Sequence, residues 1–455
     1  MPLRFSKLPL DPSCLNNLAA IGYDAMTPIQ AESLPEILNN KDLIVQAKTG
    51  SGKTAAFGLG ILAKLDPKDC RVQALVLCPT HELAEQVSVE LRRLARFLPN
   101  IKILTLCGGS PMQGQQSSLE HGAHIVVGTP GRIEKHIRKR YLQLNSLKTL
   151  VLDEGDRLLD MGFYDSILSI ASSAPANRQT LLFSATFPER ITEMSRAVQR
   201  QAVKVAVDTE HSVTSIRQIF YRVARTKRDQ ALCSLISHYQ PESTLIFCNT
   251  RQCCKDVTEG LRGEGFSVAG LHGDLDQVQR TLVLTQFANR SCSILVATDV
   301  AARGLDIDGL AAVINYELSP DPEIHVHRVG RTGRAGKEGL ALSLCLETQD
   351  FLIHRIEEFQ KSSVVWAPLD KLTHCPGKLE PPMVTFFLNG GKKNKIRPGD
   401  VLGVLTGDAG LTGDKVGKIN IFDTFAYVAI ARDAVDAFRK WMPRGKLKGR
   451  FFRPV

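Results

Sequence analysis

The chain has 455 residues, of which 43% are hydrophobic and 23% charged, and its formal net charge is +10. That length is more than one hydrophobic core holds, so two or three domains are expected, and the composition excludes a disordered or fibrous chain. No apolar run approaches the roughly 20 residues that cross a bilayer, and the opening "MPLRFSKLPLDPS" lacks the apolar core of a secretory signal, so a cytoplasmic protein is expected.

From about residue 42 to 206, short apolar runs alternate with longer amphipathic stretches. The runs are "DLIVQA", "ALVLCP", "HIVVGTP", "TLVLDE" and "TLLFSAT". They are apolar on both faces, as parallel strands covered by helices on both sides should be. The pattern returns from about 216 to 360 in "STLIFC", "SVAGLHG", "SILVATD", "AAVINYEL" and "LALSLC". Two α/β units in tandem follow, 1–206 and 216–366, joined by the polar segment 207–215. Ligands of such sheets bind beyond the carboxyl ends of the strands.

A Pro-punctuated stretch, 367–382, reads as a second linker. After it come a strand "MVTFFL", a helix "PGDVLGVLT", strands "VGKINIF" and "FAYVAIA", a helix "DAVDAFRKWM" and a strand "KLKGRFF". The order βαββαβ over 383–455 is a split-βαβ α+β domain. Residues 375–455 hold 15 Lys/Arg and 7 Asp/Glu, a net of +8, which leaves only +2 for the rest of the chain. A basic end domain points to nucleic acid, with a merely solvated basic face as the plainer reading. The 11 cysteines are scattered with no C-x-x-C pair, so buried reduced thiols are expected.

"AKTGSGKT" (47–54) follows the strand "DLIVQ". Gly50 and Gly52 let backbone N–H groups curl around phosphate, Lys53 can reach the β- and γ-phosphates, and Thr54 can ligate Mg²⁺. The first position is Ala47 rather than Gly, so a chance Gly-rich turn is the alternative. "VLDEGD" (151–156) crowds acids at a strand end, where like charges repel. Beside a phosphate loop they gain a purpose: Asp153 would hold Mg²⁺ through water, and Glu154 would orient or deprotonate the attacking water. Read alone, the same acids could be an N-cap cluster for "DRLLDMGF".

With these in place, residues 1–365 resemble a DEAD-box RNA helicase. "GYDAMTPIQ" (22–30) resembles the family's Q motif, "AKTGSGKT" motif I, "DEGD" motif II and "SAT" (184–186) motif III. "PTHELA", "GG" (108–109) and "TPGR" (129–132) resemble the RNA-gripping motifs of the first lobe. "LIFCNT", "QVQR", "ATDVAARGLDI" and "HRVGRTGRAG" resemble those of the second. The resemblance implies two RecA-like lobes, and ATP and Mg²⁺ as cofactors. Tyr23 would stack on adenine and Gln30 would bond its edge. The loop Ala47, Lys48, Thr49, Gly50, Ser51, Gly52, Lys53 and Thr54 would hold the phosphates, and Asp306 would touch the ribose. Arg331 and Arg334 are the implied arginine fingers. Asp156, Ser184, Thr186 and His327 would couple hydrolysis to strand separation. Pro79, Thr80, Gly109, Thr129, Arg132, Thr298 and Gly304 would grip one RNA strand by its backbone, without reading sequence.

Two positions depart from the family pattern: His81 stands where members carry Arg, and Gly155 where they carry Ala. An imidazole is mostly neutral at pH 7 where Arg is always charged. A non-catalytic RNA-binding chaperone with an impaired motor is therefore the second reading.

The C-terminal stretch "NGGKKNKIRPGDVLGVLTGDAGLTGDKVGKI" resembles the end domain of a bacterial branch of the family. That branch recognises a hairpin of 23S ribosomal RNA and acts in large-subunit assembly. The domain is RRM-like in order, without the usual RNP1 pattern. Its RNA contacts are expected at Lys392, Lys393, Lys395, Arg397, Lys446, Lys448 and Arg450. Phe425 and Tyr427 share a strand face and would either stack bases or fill the domain core. RNA is the expected partner, no membrane is expected, and the protein is expected to be a monomer.

Overall fold

The computed structural model describes residues 3–47, 50–187, 189–206, 216–302, 309–333, 338–372 and 380–454. They fall into two compact units, with 3–206 in the first and 216–454 in the second. Among the described residues no helix is long and apolar enough to cross a membrane.

The first unit is built on strands β1 (Leu43–Gln46), β2 (Ala74–Leu77), β3 (Ile103–Leu106), β4 (Ile125–Gly128), β5 (Thr149–Leu152), β6 (Gln179–Ser184) and β7 (Val203–Ala206). They form one seven-stranded sheet in the order β3-β4-β2-β5-β6-β1-β7, and every pairing is parallel. The central strands are buried on both faces, and two separate apolar cores, around Phe57 and Phe183 and around Leu150 and Ile167, lie on the sheet's two sides. The uninterrupted Val/Leu/Ile runs predicted this double burial. The edge strands β3 and β7 are absent from the predicted set, because their burial is partial and polar residues interrupt them.

The second unit carries β8 (Ile216–Val223), β9 (Thr244–Cys248), β10 (Val268–Leu271), β11 (Ile294–Thr298), β12 (Ala312–Asn315) and β13 (Gly339–Leu346). Their order is β10-β11-β9-β12-β13-β8, again all parallel. The first residues of the predicted second linker run along this lobe: Ala367, Leu369 and Leu372 pack on its core, and Phe220 bridges to Trp366.

The end domain of the same unit has β14 (Met383–Leu388), β15 (Val416–Ile421), β16 (Ala426–Ala431), β17 (Lys446–Leu447) and β18 (Arg450–Pro454). They make an antiparallel sheet in the order β15-β16-β14-β18-β17. Helices Pro398–Gly407 and Val435–Trp441 complete the βαββαβ order. The expected single strand "KLKGRFF" is a hairpin instead: Lys448 at φ 47° and Gly449 at φ 78° turn the chain between β17 and β18.

Candidate nucleotide and RNA-binding sites

Apart from "GYDAMTPIQ", which precedes β1, each first-lobe motif sits just past the carboxyl end of a parallel strand. After β1 the phosphate loop turns through Gly50 (φ 80°) and Gly52 (φ 93°) into the helix Lys53–Lys64. A Cβ at Gly52 would meet the Gln30 amide at 2.4 Å, so only glycine fits that left-handed position. Lys53 is 6% exposed, and its Nζ has no hydrogen-bond partner among the described residues. A buried, unpaired ammonium is costly unless an anion completes it. Ala47 lies buried at the end of β1, Ser51 lies between the two glycines, Thr54 is in the first turn of the helix, and Lys48 and Thr49 lie outside the described residues.

The helix Pro28–Leu38 begins with a capping box that also braces this loop. The Thr27 hydroxyl accepts from Gln30 N–H (3.4 Å) and donates to the Ser51 carbonyl (2.8 Å). The Gln30 Oε1 accepts from Thr27 N–H (2.9 Å), while its Nε2 donates to the Gly52 carbonyl (3.1 Å). The residue that resemblance assigns to adenine thus also holds the phosphate loop. Thr27 is a loop-bracing residue that sequence reasoning did not single out, although the T-P-I-Q capping signature marks it. Tyr23 donates its hydroxyl to Glu90 (2.7 Å), with the Arg93 guanidinium 5.6 Å from the ring centre.

Asp153 and Glu154 follow β5 and are 2% and 4% exposed. Burial pushes the Asp153 carboxyl up to about 6; the Lys53 ammonium opposes this and the Glu154 charge adds to it. Glu154 adopts φ 52°, a left-handed conformation that costs a non-glycine residue about 1–3 kcal/mol. Two contacts hold it there. Its N–H donates to Asp153 Oδ1 (3.0 Å), and its carboxylate accepts from Arg157 Nη1 (2.9 Å). Gly155 then starts the helix Gly155–Asp160 without positive φ. A Cβ there would touch Ile191 Cδ1 at 3.2 Å and two further side-chain ends at 3.5 Å.

Asp156 ties this segment to "SAT". Its Oδ2 accepts from Ala185 N–H (3.2 Å) and from the N–H and hydroxyl of Thr186 (both 3.1 Å). Asp156 N–H donates to Ser184 Oγ (3.1 Å), which donates to the Thr186 carbonyl (2.7 Å). Three of the four residues expected to couple hydrolysis to work therefore form one closed network, and the fourth, His327, lies in the second unit.

The first-lobe residues expected to grip RNA, Pro79, Thr80, Gly109, Thr129 and Arg132, follow the strand ends of that lobe. Pro79 and the buried Thr80 follow β2, and the Thr80 hydroxyl caps the helix His81–Leu94 by accepting from Leu83 N–H (3.3 Å). His81 opens that helix with Nε2 3.7 Å from Glu85. Gly109 turns at φ 80° after β3, and Thr129 follows β4. Arg132 donates to the Ser110 carbonyl and to Gln115, both at 2.9 Å, which joins the "GG" and "TPGR" segments.

In the second unit, Thr298 ends β11, His327 lies in the helix Pro322–Val329, and Arg331 follows that helix at 8% exposure. Gly304, Asp306 and Arg334 lie outside the described residues. Sequence reasoning missed Arg328, which is 2% exposed and is the hub of this edge. Its guanidinium donates to both carboxylate oxygens of Asp299 (2.7 and 2.6 Å), to Asn249 (2.8 Å) and to the Glu317 carbonyl (2.6 Å). Three separate motifs meet at this one side chain, which presents its fork bidentately.

In the end domain, Lys392, Lys393, Lys395, Arg397, Lys446, Lys448 and Arg450 are all exposed. Lys392 and Lys393 form a tight turn, and Lys395 follows at φ 57°. Lys448 donates to the Lys395 carbonyl (2.6 Å) and to Asp400 (2.7 Å), so it braces the turn as well as charging it.

Two lobes with phosphate-handling loops at their strand ends define the DEAD-box RNA helicases, and the chain belongs to that family of ATP-dependent, RNA-binding enzymes. Residues 27–194 match the DEAD/DEAH box helicase model, 227–336 the helicase conserved C-terminal domain, and 385–454 the DbpA RNA binding domain. The chain is 50% identical over 444 residues to the ATP-dependent RNA helicase DbpA of Escherichia coli, covering 98% of this chain and 97% of that one. It is 43% identical to the helicase CshA of Listeria monocytogenes across 79% of this chain and 69% of the relative. Among solved structures, Saccharomyces cerevisiae Dbp5 bound to RNA and ADP BeF3 matches with a TM-score of 0.74 at 31% identity, over 81% of this chain and 96% of that one.

Proposed function

We propose that this helicase separates short RNA duplexes locally, and that its end domain directs it to 23S ribosomal RNA during large-subunit assembly in the cytoplasm. It would act as a monomer. The observation that carries the motor is the closed Asp156–Ser184–Thr186 network, together with a buried Lys53 whose Nζ has no hydrogen-bond partner among the described residues. An unpaired ammonium and glycine-turned backbone amides suit a triphosphate.

Lys53 would bind the phosphates and Glu154 would orient the attacking water. Among the described residues no three His, Cys, Asp or Glu side chains converge to hold a metal. That suits Mg²⁺, which is bound by one or two carboxylates together with substrate phosphates. Thr54 and Asp153 would hold it, and once bound it would neutralise charge on the phosphate oxygens. Arg331 and Arg334 would add positive charge to the transferring group. Gly155 leaves the Asp156 network complete, which favours the working motor over the impaired chaperone.

The end domain supports targeting through its exposed lysine turn, which needs no nucleotide to bind RNA. The test is ATP turnover and strand separation with a 23S ribosomal fragment and with a scrambled RNA of equal length. Stimulation by the ribosomal fragment alone is expected, and replacing Lys392, Lys393 and Lys395 with Ala should weaken that preference. Equal stimulation by both RNAs would overturn the targeting, and no turnover with either would overturn the motor.

A further inference from the structure

The helix Pro130–Arg138 starts at the expected grip of Thr129 and Arg132 and carries a run of cations toward its other end. Residues 132–140 hold five Lys/Arg and one Glu, a net of +4, whereas residues 1–374 together carry only +2. Lys135, Arg138, Lys139 and Arg140 are all exposed. Arg132, Lys135 and Lys139 stand at i, i+3 and i+7, so they form one stripe along the helix, with Arg138 beside it. The other side of the helix faces the lobe: Ile133 is buried in the core and Ile137 packs against it. Glu134, the acid of the run, accepts from the Ser166 hydroxyl (2.8 Å).

Two plainer roles do not account for these cations. Cations at a helix end can bond its last carbonyls, but here backbone N–H groups already do so. Lys139 N–H donates to the Lys135 carbonyl (3.2 Å), Arg140 N–H to that of Ile137 (2.8 Å) and Tyr141 N–H to that of His136 (3.0 Å). Glycine is the ordinary residue at such a close, yet Arg140 takes the left-handed φ of 61° there. Nor do the cations serve as ion-pair partners, since among the described residues none of the four is joined to a carboxylate. Lys139 lies over the Tyr141 ring, its Nζ 5.9 Å from the centre. Their field reaches the residue beneath: burial first, then the Arg132 and Lys139 charges, lower the pKa of His136.

A stripe of uncompensated cations suits a polyanion. The helix has 9 residues, which at about 1.5 Å each span about 14 Å. A stacked nucleic-acid strand carries a phosphate about every 3.4 Å, so about four fall within that length. The stripe begins at Arg132, so an RNA longer than the gripped segment meets it directly.

We propose that Lys135, Arg138, Lys139 and Arg140 form an auxiliary RNA track, which binds the phosphates of the strand continuing beyond Thr129 and Arg132. The track reads charge and not sequence, and it lengthens the RNA site of the first lobe independently of the end domain. It rests on the first lobe gripping RNA, and not on the ribosomal target.

The test measures RNA binding by the full chain with a non-hydrolysable ATP analogue across a salt series. The probes are oligouridines of about 6 and about 20 nucleotides. The variant carries Lys135→Gln, Arg138→Gln, Lys139→Gln and Arg140→Gln together and keeps Arg132. On the longer RNA it should bind roughly tenfold or more weakly at about 0.1 M salt, and its slope of log affinity against log salt should be shallower by about 2–3. On the shorter RNA it should match the wild type, and its unfolding temperature without RNA should be unchanged. A second variant exchanges Lys for Arg and Arg for Lys at the same four positions, and should keep the wild-type slope. Equal slopes for wild type and Gln variant on the longer RNA, with the shorter one still bound, would overturn the track alone. Failure of the wild type to bind the shorter RNA would overturn the grip and the track with it. An unchanged RNA slope with lost binding of a polyglutamate peptide would assign the stripe to an acidic protein and equally overturn the proposal.

Discussion

Asp156 and Thr186 are joined twice, since one carboxylate oxygen accepts from both the N–H and the hydroxyl of Thr186 at 3.1 Å. The pair links the segment bearing Glu154 to the end of β6. A hydrogen bond to a charged acceptor contributes about 1.5–3 kcal/mol, enough to make two segments move as one. Thr186→Ala removes the hydroxyl and leaves Asp153 and Glu154 in place. RNA-stimulated ATP turnover should then fall by less than about tenfold, while duplexes separated per ATP should drop by more. A parallel loss of both would mean that Thr186 serves hydrolysis only.

Much of this edge is legible in the sequence, because most residues expected to handle phosphate lie just past an apolar strand. "TLVL" before Asp153 and "TLLF" before Ser184 announce it, and the structure sets those strands side by side. Other features were hidden for physical reasons. Arg328 reads as one more arginine in a basic motif, and its role exists only where Asn249 and Asp299 meet it in space. Phe387 lies in β14, and Phe422 and Phe425 in the connection between β15 and β16, so the stack of Phe387 on Phe425 depends on register that no local pattern carries. The β17–β18 turn was missed because its first residue is a lysine in a left-handed conformation, which side chains usually avoid.

Gly155→Ala should stabilise the first lobe. The backbone there is already helical, so an added methyl restricts the unfolded chain more than the folded one, which contributes about 0.5–1 kcal/mol. The tightest new contact, 3.2 Å to Ile191 Cδ1, is with the end of a side chain that can shift. A higher unfolding temperature with turnover within a few-fold is the expected outcome. A fall in stability would show that Ile191 cannot move.

His81→Arg should tighten RNA binding in the presence of ATP and leave nucleotide affinity unchanged. The imidazole opens its helix with Nε2 3.7 Å from Glu85. A guanidinium would add a permanent charge and further donors. Binding measured across a salt series should show a steeper salt dependence for the Arg variant. Superimposed curves would remove position 81 from the RNA grip.

The second lobe should lose stability in acid through His325. This side chain is fully buried against Phe220, with ring centres 5.7 Å apart, and neither ring nitrogen has a hydrogen-bond partner among the described residues. Burial, and then the nearby Arg328 charge, lower its pKa from 6.5 to about 4. Above 6.5 the ring is neutral in both folded and unfolded chains and has no effect on their balance. As pH falls below 6.5 the unfolded chain takes up a proton that the folded one refuses, so stability declines until the folded ring also titrates near 4. The full loss is about 3 kcal/mol, and about 2 kcal/mol of it falls between pH 6.5 and about 5. His325→Leu keeps a comparable volume and removes the titration. Urea unfolding of both proteins at about pH 7.5 and about pH 5 should show the wild type losing more stability by that amount. Equal losses in the two proteins would mean that the ring is reached by water and protonates in place.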